Sequence, residues 1–215
     1  MLLALDTSSP AVTVAVHDGA KVVAERTTVD ARRHTELVAP SIVSVLDEAG
    51  ADRRDLTDIA VGVGPGPFTG LRIGLVTART LGAALGIPVN GVCSLDIIAA
   101  EAALSGSSVV VTDARRKEVY LASYVDGRRT NGPDVLTPGD AATNLPAAGA
   151  GAALYPDAFP NGVPPLYPSG RVLAQIVATG VADVVPADPL YLRRPDASPP
   201  GQRRSVLAAG GRRPR

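Results

Sequence analysis

The amino-acid sequence predicts an α/β fold in two lobes, each a mixed sheet flanked by helices. Three observations carry the prediction. Short apolar runs of strand length alternate with longer stretches of helical periodicity. Of the 215 residues 46% are apolar but only 3% aromatic, with no Trp, so the core is built from Val, Leu, Ile and Ala, which pack well between a sheet and its helices. One theme also occurs twice: an apolar strand running into Asp, a tight turn, an alternating strand and another turn. It is seen at Leu5-Asp6-Thr7-Ser8 and again at Val111-Thr112-Asp113-Ala114. This repeat divides the chain near residue 105, giving an amino-terminal lobe 1–104, a smaller second lobe 105–194 and a tail 195–215.

Leu2 to Leu5 reads as a buried strand ending at Asp6. Val12 to His17 alternates with period two, Asp18-Gly19 is a hairpin turn signal, and Lys21 to Val29 pairs back. A helix follows, with Val38, Ile42, Val45, Leu46 and Ala49 on one stripe, Pro40 bending its start and Gly50 closing it. Ile59 to Val63 is the next strand. Gly64-Pro65-Gly66-Pro67-Phe68-Thr69-Gly70 then leads into a helix from Leu71 to Leu85. Its stripe is Ile73, Val76, Thr77, Thr80, Leu81 and Ala84. The small residues Gly74, Ala78, Gly82 and Ala83 are expected to let another helix approach. Gly86-Ile87-Pro88 stops the helix, Val89 to Cys93 is a short strand, and Ser94 is expected to cap a helix from Leu95 to Leu104.

In the second lobe Ser108 to Thr112 is a strand, Ala114 to Lys117 turns the chain, and Glu118 to Val125 alternates up to Asp126-Gly127. Thr137-Pro138-Gly139-Asp140 predicts a short helix with Thr137 as cap. Gly170 to Thr179 predicts another, with Val172, Leu173, Ile176 and Val177 inward. The Pro, Gly, Ser and Arg composition after Arg194 predicts disorder.

Charge and composition exclude several function classes. From Arg193 onward there are seven Arg and one acid, Asp196, a net +6; the remaining 14 basic and 20 acidic residues give −6. An acidic body does not suggest direct grip on a phosphate backbone. Seven scattered aromatics argue against a base-stacking surface. Cys93 is the single cysteine, which fits a reducing cytosol. The start lacks a basic n-region, and no apolar run approaches the roughly 20 residues of a membrane helix. A cytoplasmic protein without membrane contact is expected.

Few residues have the placement for chemistry. Asp6, Thr7 and Ser8 lie at the carboxyl end of the first strand, where open α/β sheets place ligands. Either they hold a phosphate or sugar, with Mg²⁺ on Asp6 through water, or Asp6 and Ser8 only stabilise the turn. Asp113 and Arg115 cross a hairpin tip beside the same presumed cleft. ATP or ADP, weakly held, is the only cofactor the cleft suggests. The Gly64 to Gly70 loop is not a P-loop: no Lys-Ser/Thr pair follows, and Pro65 and Pro67 delete amide donors. His17 and His34 have no second His or Cys at metal-ligand spacing, and there is no Gly-x-Ser-x-Gly elbow. No catalytic residue and no metal site are expected.

Several segments together resemble one family. Leu3-Ala4-Leu5-Asp6-Thr7-Ser8-Ser9, His34 to Pro40, Gly64 to Gly74, Asp113 to Tyr120 and Asp188-Pro189-Leu190-Tyr191-Leu192-Arg193 are similar to TsaB (YeaZ) proteins, in order and in spacing. The resemblance implies an actin-like ATPase fold of two lobes. It implies a non-catalytic subunit of the bacterial complex that makes N6-threonylcarbamoyladenosine in tRNA. There the related TsaD carries the metal and the transfer chemistry, TsaE supplies an ATPase, and tRNA is met only through the complex. The matching helices would dock on TsaD, or on a second copy when alone. In this chain that surface is expected at Glu36, Leu37, Ser41, Val45, Ile73, Val76, Thr77 and Thr80. The competing expectations are a stand-alone actin-like kinase or ATPase and, last, a peptidase.

Overall fold

The computed structural model describes residues 1–193; the predicted tail 195–215 lies outside the described residues. Two sheets form the two lobes. In the first, β1 (Leu2–Asp6), β2 (Ala11–His17) and β3 (Val22–Val29) make an antiparallel meander, while β4 (Asp58–Gly62) and β5 (Val89–Val92) extend it in parallel on the other side of β1. The strand order is β3-β2-β1-β4-β5. The parallel steps run through α1 (His34–Glu48) and α2 (Phe68–Leu85), as parallel pairing requires a crossover. In the second sheet β6 (Ser107–Arg115), β7 (Glu118–Val125) and β8 (Arg128–Leu136) again form the meander. The two-residue strands β9 (Ala147–Ala148) and β10 (Gly162–Val163) extend it in parallel, in the order β8-β7-β6-β9-β10. The two lobes therefore share one topology, and the twice-seen sequence theme is its trace. This is the predicted actin-like arrangement.

Period-two alternation in β1 explains how both faces are buried. Leu3 and Leu5 join Val12, Val14, Ile59, Val61, Val38 and Leu75 under α1 and α2. Leu2 and Ala4 face the other way, onto Ile97, Val172, Leu173 and Ile176. That second face is covered by α3 (Ser94–Ala102) and α5 (Gly170–Thr179). In the second lobe Val109 and Val111 pack on Ala152 and Phe159 beside α4 (Ala150–Leu154), while Val110, Ala122 and Tyr124 meet Leu95 and Ile98 of α3. α3 thus lies between the lobes and is shared by both cores.

Three expectations are corrected. Residues 105–194 are not one lobe: α5 packs across β1, β2 and β3, and β11 (Val185–Pro186) pairs with β5. The chain leaves the second lobe after residue 168 and closes the first, with the Gly170 amide donating to Thr13 Oγ1 at 2.8 Å. Thr137 to Asp140 forms a turn rather than a helix, because the apolar periodicity needed to bury a longer element is missing. Ser94 does not cap α3; its hydroxyl is committed elsewhere, as described next.

Candidate functional site

Asp6 ends β1 completely buried. Its Oδ1 accepts from the Ser8 amide and the Ser8 hydroxyl, each at 2.8 Å, and its Oδ2 accepts from Ser94 Oγ at 2.6 Å. Ser94 Oγ in turn accepts from the Gly64 amide at 3.1 Å. A Cβ on Gly62 would stand 1.7 Å from Asp6 Oδ2, so glycine there makes room for the carboxylate. Burial pushes the Asp6 pKa up, against the opposing effect of the hydrogen bonds from Ser94 and Ser8. Both oxygens face protein donors, and the residue acts as the knot joining β1, the Gly64 loop and α3. Ser94 is the functional neighbour that sequence reasoning missed: a Ser at a strand-to-helix junction reads as a cap.

Thr7 and Ser8 are equally closed. Thr7 Oγ1 donates to the Gly70 carbonyl at 2.7 Å and accepts from the Gly74 amide at 3.0 Å. Those two groups are the i and i+4 members of a single helical bond, so the hydroxyl is inserted at the first turns of α2. The loop packs just as tightly on the turn. A Cβ on Gly66 would lie 2.2 Å from the Ser8 carbonyl, one on Gly70 2.8 Å from the Thr7 carbonyl, and one on Gly74 2.5 Å from Thr7 Oγ1. The turn after β1, at the carboxyl end of the strand where open α/β sheets place ligands, is therefore covered by the chain's own Gly-Pro-Gly loop. In the second lobe Gly149 and Gly151 press against Val111 in the same way, where a Cβ would stand 2.3 and 2.8 Å from it. His34 Nε2 is within 2.8 Å of the Ser9 carbonyl, fastening α1 to the same turn.

Between the lobes lies a cavity of about 220 Å³, lined by Ser8, Ser94, Leu95, Thr112, Asp113, Arg115, Leu154 and Tyr167 among others. It falls below the ~300–1,000 Å³ of pockets that engulf drug-sized ligands. The structure brings Ser8, Asp113 and Arg115 to this cavity; Asp6 and Thr7 are set behind it. Asp113 and Arg115 are paired with each other: Oδ1 accepts the Arg115 amide at 2.7 Å and Oδ2 meets Nη1 at 3.2 Å. The tip they occupy is strained. Arg115, Arg116 and Lys117 have φ of +63°, +53° and +60°, each at a cost of about 1–2 kcal/mol for a residue with a Cβ. Among the described residues no three His, Cys, Asp or Glu side chains form a group able to hold a metal ion. Cys93 is buried with the α3 core, and burial, with nearby Asp96 adding to it, pushes its thiol up to about 12.

The expected partner surface needs correction. Val45 and Ser41 are buried within this chain, and Leu37 and Ile73 are half-buried against the same core. The apolar stripe of α1 faces its own sheet. Gly74, Ala78 and Gly82 likewise serve close approach within the chain, against Thr7, Val89 and the sheet. Glu36, Val76 and Thr80 are exposed, and Thr77 partly so. Val43 on α1 and Val76 on α2, 57% and 58% exposed, are the most exposed large apolar side chains of the helix pair, with Phe68 at the start of α2 less so. Val43 lies off the periodic stripe, which is why sequence reading passed it over. Among the described residues no helix is long and apolar enough to cross a membrane.

Comparison with known proteins agrees with this geometry. The model of the family described as TsaD, tRNA N6-adenosine threonylcarbamoyltransferase, matches residues 21–155. An uncharacterised protein of Mycobacterium tuberculosis is 48% identical over 203 residues, spanning 92% of this chain and 94% of its own. The tRNA threonylcarbamoyladenosine biosynthesis protein TsaB of Bacillus subtilis is 36% identical over 124 residues, 57% of this chain and 54% of that one. The solved structure of YeaZ from Pseudomonas aeruginosa superposes with a TM-score of 0.75 at 32% identity, covering 89% of this chain and 99% of that one. With its Gly-Pro-Gly loop seated on the Asp6 turn and its two like-folded lobes, the chain belongs to the TsaB/YeaZ family.

Proposed function

We propose that this chain is the non-catalytic partner subunit of a TsaD-type transferase that forms N6-threonylcarbamoyladenosine in tRNA. The observation that carries the reading is the closed turn after β1. Asp6 accepts from Ser94 and Ser8, and Thr7 is bonded to Gly70 and Gly74, so the carboxyl end of the first strand, where open α/β sheets place ligands, is filled by protein. A subunit with that place filled contributes surface instead. The outer faces of α1 and α2, with Val43, Val76, Thr80 and Glu36, are the docking surface. TsaD is the partner there, TsaE joins the pair, and tRNA is engaged through the complex. A second copy takes TsaD's place when the chain is alone. Any ATP or ADP in the interlobe cavity would be held weakly, through Ser8 and the Asp113–Arg115 pair.

The test is reconstitution by omission. Purified TsaD, TsaE, threonylcarbamoyl-AMP and unmodified tRNA are incubated with or without this chain, and the nucleosides are quantified by mass spectrometry. Modification is expected only when the chain is present, and none from the chain with tRNA and threonylcarbamoyl-AMP alone. Equal modification without the chain would overturn the reading.

A further inference from the structure

We propose that a second site, separate from the Asp6 turn and formed by the start of α2, the β6–β7 tip and Tyr191, binds one nucleotide unit: a planar base against the outer face of Tyr191, which Phe68 and Arg72 back, and its phosphate against the adjoining guanidinium groups. The cavity there measures about 200 Å³, below the ~300–1,000 Å³ of pockets that engulf a ligand, so the unit would lie across its mouth rather than inside it. Phe68 and Tyr191 stack with ring centroids 5.2 Å apart and planes 28° from parallel, yet each remains 38% exposed. Arg72 places its guanidinium 4.7 Å from the Phe68 centroid, and Tyr120 also borders the cavity. Three of the chain's seven aromatic residues thus meet at one surface, although they are spread over more than 120 positions of sequence. An exposed aromatic pair flanked by Arg is the arrangement that stacks nucleobases without regard to their identity.

Charge points the same way. Arg115, Arg116 and Arg193 line this cavity and Arg72 lies over Phe68, against Asp113 paired with Arg115 and Glu118 paired with Arg193, a local net of +2. The described residues as a whole hold 15 basic and 20 acidic side chains, a net of −5. The positive patch is therefore set against the sign of its surroundings. The amino-terminal end of the 18-residue helix α2 adjoins it, and the N-cap position is Pro67, which offers no side-chain acceptor to the first-turn amides. Such an end attracts anions. The tip itself supplies a further observation. Arg115 to Lys117 occupy the left-handed region, where a hairpin is more easily made with Asn-Gly. Basic side chains kept at a strained position are a pattern of ligand clamps. Bare phosphate would need the cations alone; the stacked rings point to a base attached to it.

The experiment is a calorimetric titration of the full chain with AMP, with an eight-nucleotide single-stranded RNA and with inorganic phosphate. AMP or the RNA should bind with a Kd at or below about 1 mM, and phosphate at least about tenfold more weakly, the difference one stacked base makes. Phe68→Ala and Arg72→Gln should each weaken binding about tenfold or more. Leu154→Arg, which fills the mouth of the interlobe cavity, should leave it unchanged. Should Phe68→Ala fail to fold, the exposed Tyr191→Ala replaces it. RNA binding more tightly than AMP assigns the unit to a strand, and equal or tighter AMP binding assigns it to a free nucleotide. No binding of either, binding matched by phosphate, or binding indifferent to Phe68 and Tyr191 overturns the proposal.

Discussion

Gly74→Ala tests whether the Asp6-Thr7-Ser8 turn and α2 are one locked unit. On helix propensity alone the change should stabilise, by about 1 kcal/mol, since alanine replaces glycine inside an 18-residue helix. The structure predicts the opposite sign. The new Cβ would stand 2.5 Å from Thr7 Oγ1, 3.4 Å from Thr7 Cγ2 and 3.5 Å from its Cβ. Thr7 is buried and its hydroxyl is held by the Gly70 carbonyl and the Gly74 amide. Moving it leaves the buried Thr7 hydroxyl without its two partners, at roughly 1–3 kcal/mol, and overpacks the site by about 1–3 kcal/mol. The net for Gly74→Ala is a loss of about 2–4 kcal/mol. Thr7→Ala removes the obstacle and lets the Gly70 carbonyl and Gly74 amide bond as in an ordinary helix, so it costs only about 1–2 kcal/mol. In that background Gly74→Ala should regain its propensity advantage and be neutral or stabilising. Urea unfolding followed by circular dichroism measures all four corners of the cycle. Additivity within about 0.5 kcal/mol would refute the reasoning.

Other consequences follow from buried polar groups. The Asp6 pKa is raised by burial, so the folded state binds more protons than the unfolded state above pH 3.8. Its contribution to stability is then fully present below pH 3.8 and is lost as pH rises through the folded value. Asp6→Asn should remove that part of the pH dependence in urea titrations between pH 4 and 7; an unchanged profile would contradict it. Asp96 on α3 accepts from Tyr124 Oη at 2.7 Å and from Arg129 Nη2 at 3.2 Å. Arg129 Nε stands 3.0 Å from Oδ1 as a charge contact without hydrogen-bond alignment. This group ties the shared helix to the second sheet. Arg129→Met should cost about 3–5 kcal/mol by leaving the carboxylate unpaired, a fall in Tm of roughly 10 °C by calorimetry; a fall under about 3 °C would count against the tie. Cys93, with its thiol pushed up to about 12 and buried, should resist a thiol reagent at pH 8 in the native protein and react at once in urea.

Much of the fold was legible because local signals and packing agreed. The buried run of β1, the alternating run of β2, the Asp18-Gly19 turn and the glycines after α1 and α2 all keep their predicted places. What failed, failed for physical reasons. Val45 belongs both to the apolar stripe of α1 and to the docking surface that the resemblance implies, and periodicity marks a buried face without saying what buries it; here the chain's own β2 and β3 do. The small residues of α2 announced a close approach but not its partner, which proved to be Thr7 and Val89. The short strands β9 and β10 and the helix α4 carry too few residues for any period to appear. Ser94 could have been linked to Asp6 only through three-dimensional proximity, since 88 positions separate them. The aromatic cluster was hidden for the same reason.

The central claim is that the outer faces of α1 and α2, not the groove beside Asp6, carry this chain's function. It is tested most directly by mixing the chain with TsaD and measuring the mass of the species formed, by analytical ultracentrifugation, for the wild type and for Val43→Glu/Val76→Glu. Both positions are more than half exposed, so the double variant should fold as the wild type does. The account predicts a heterodimer with the wild type and separate monomers with the variant. A variant that still sediments with TsaD as tightly as the wild type would contradict it.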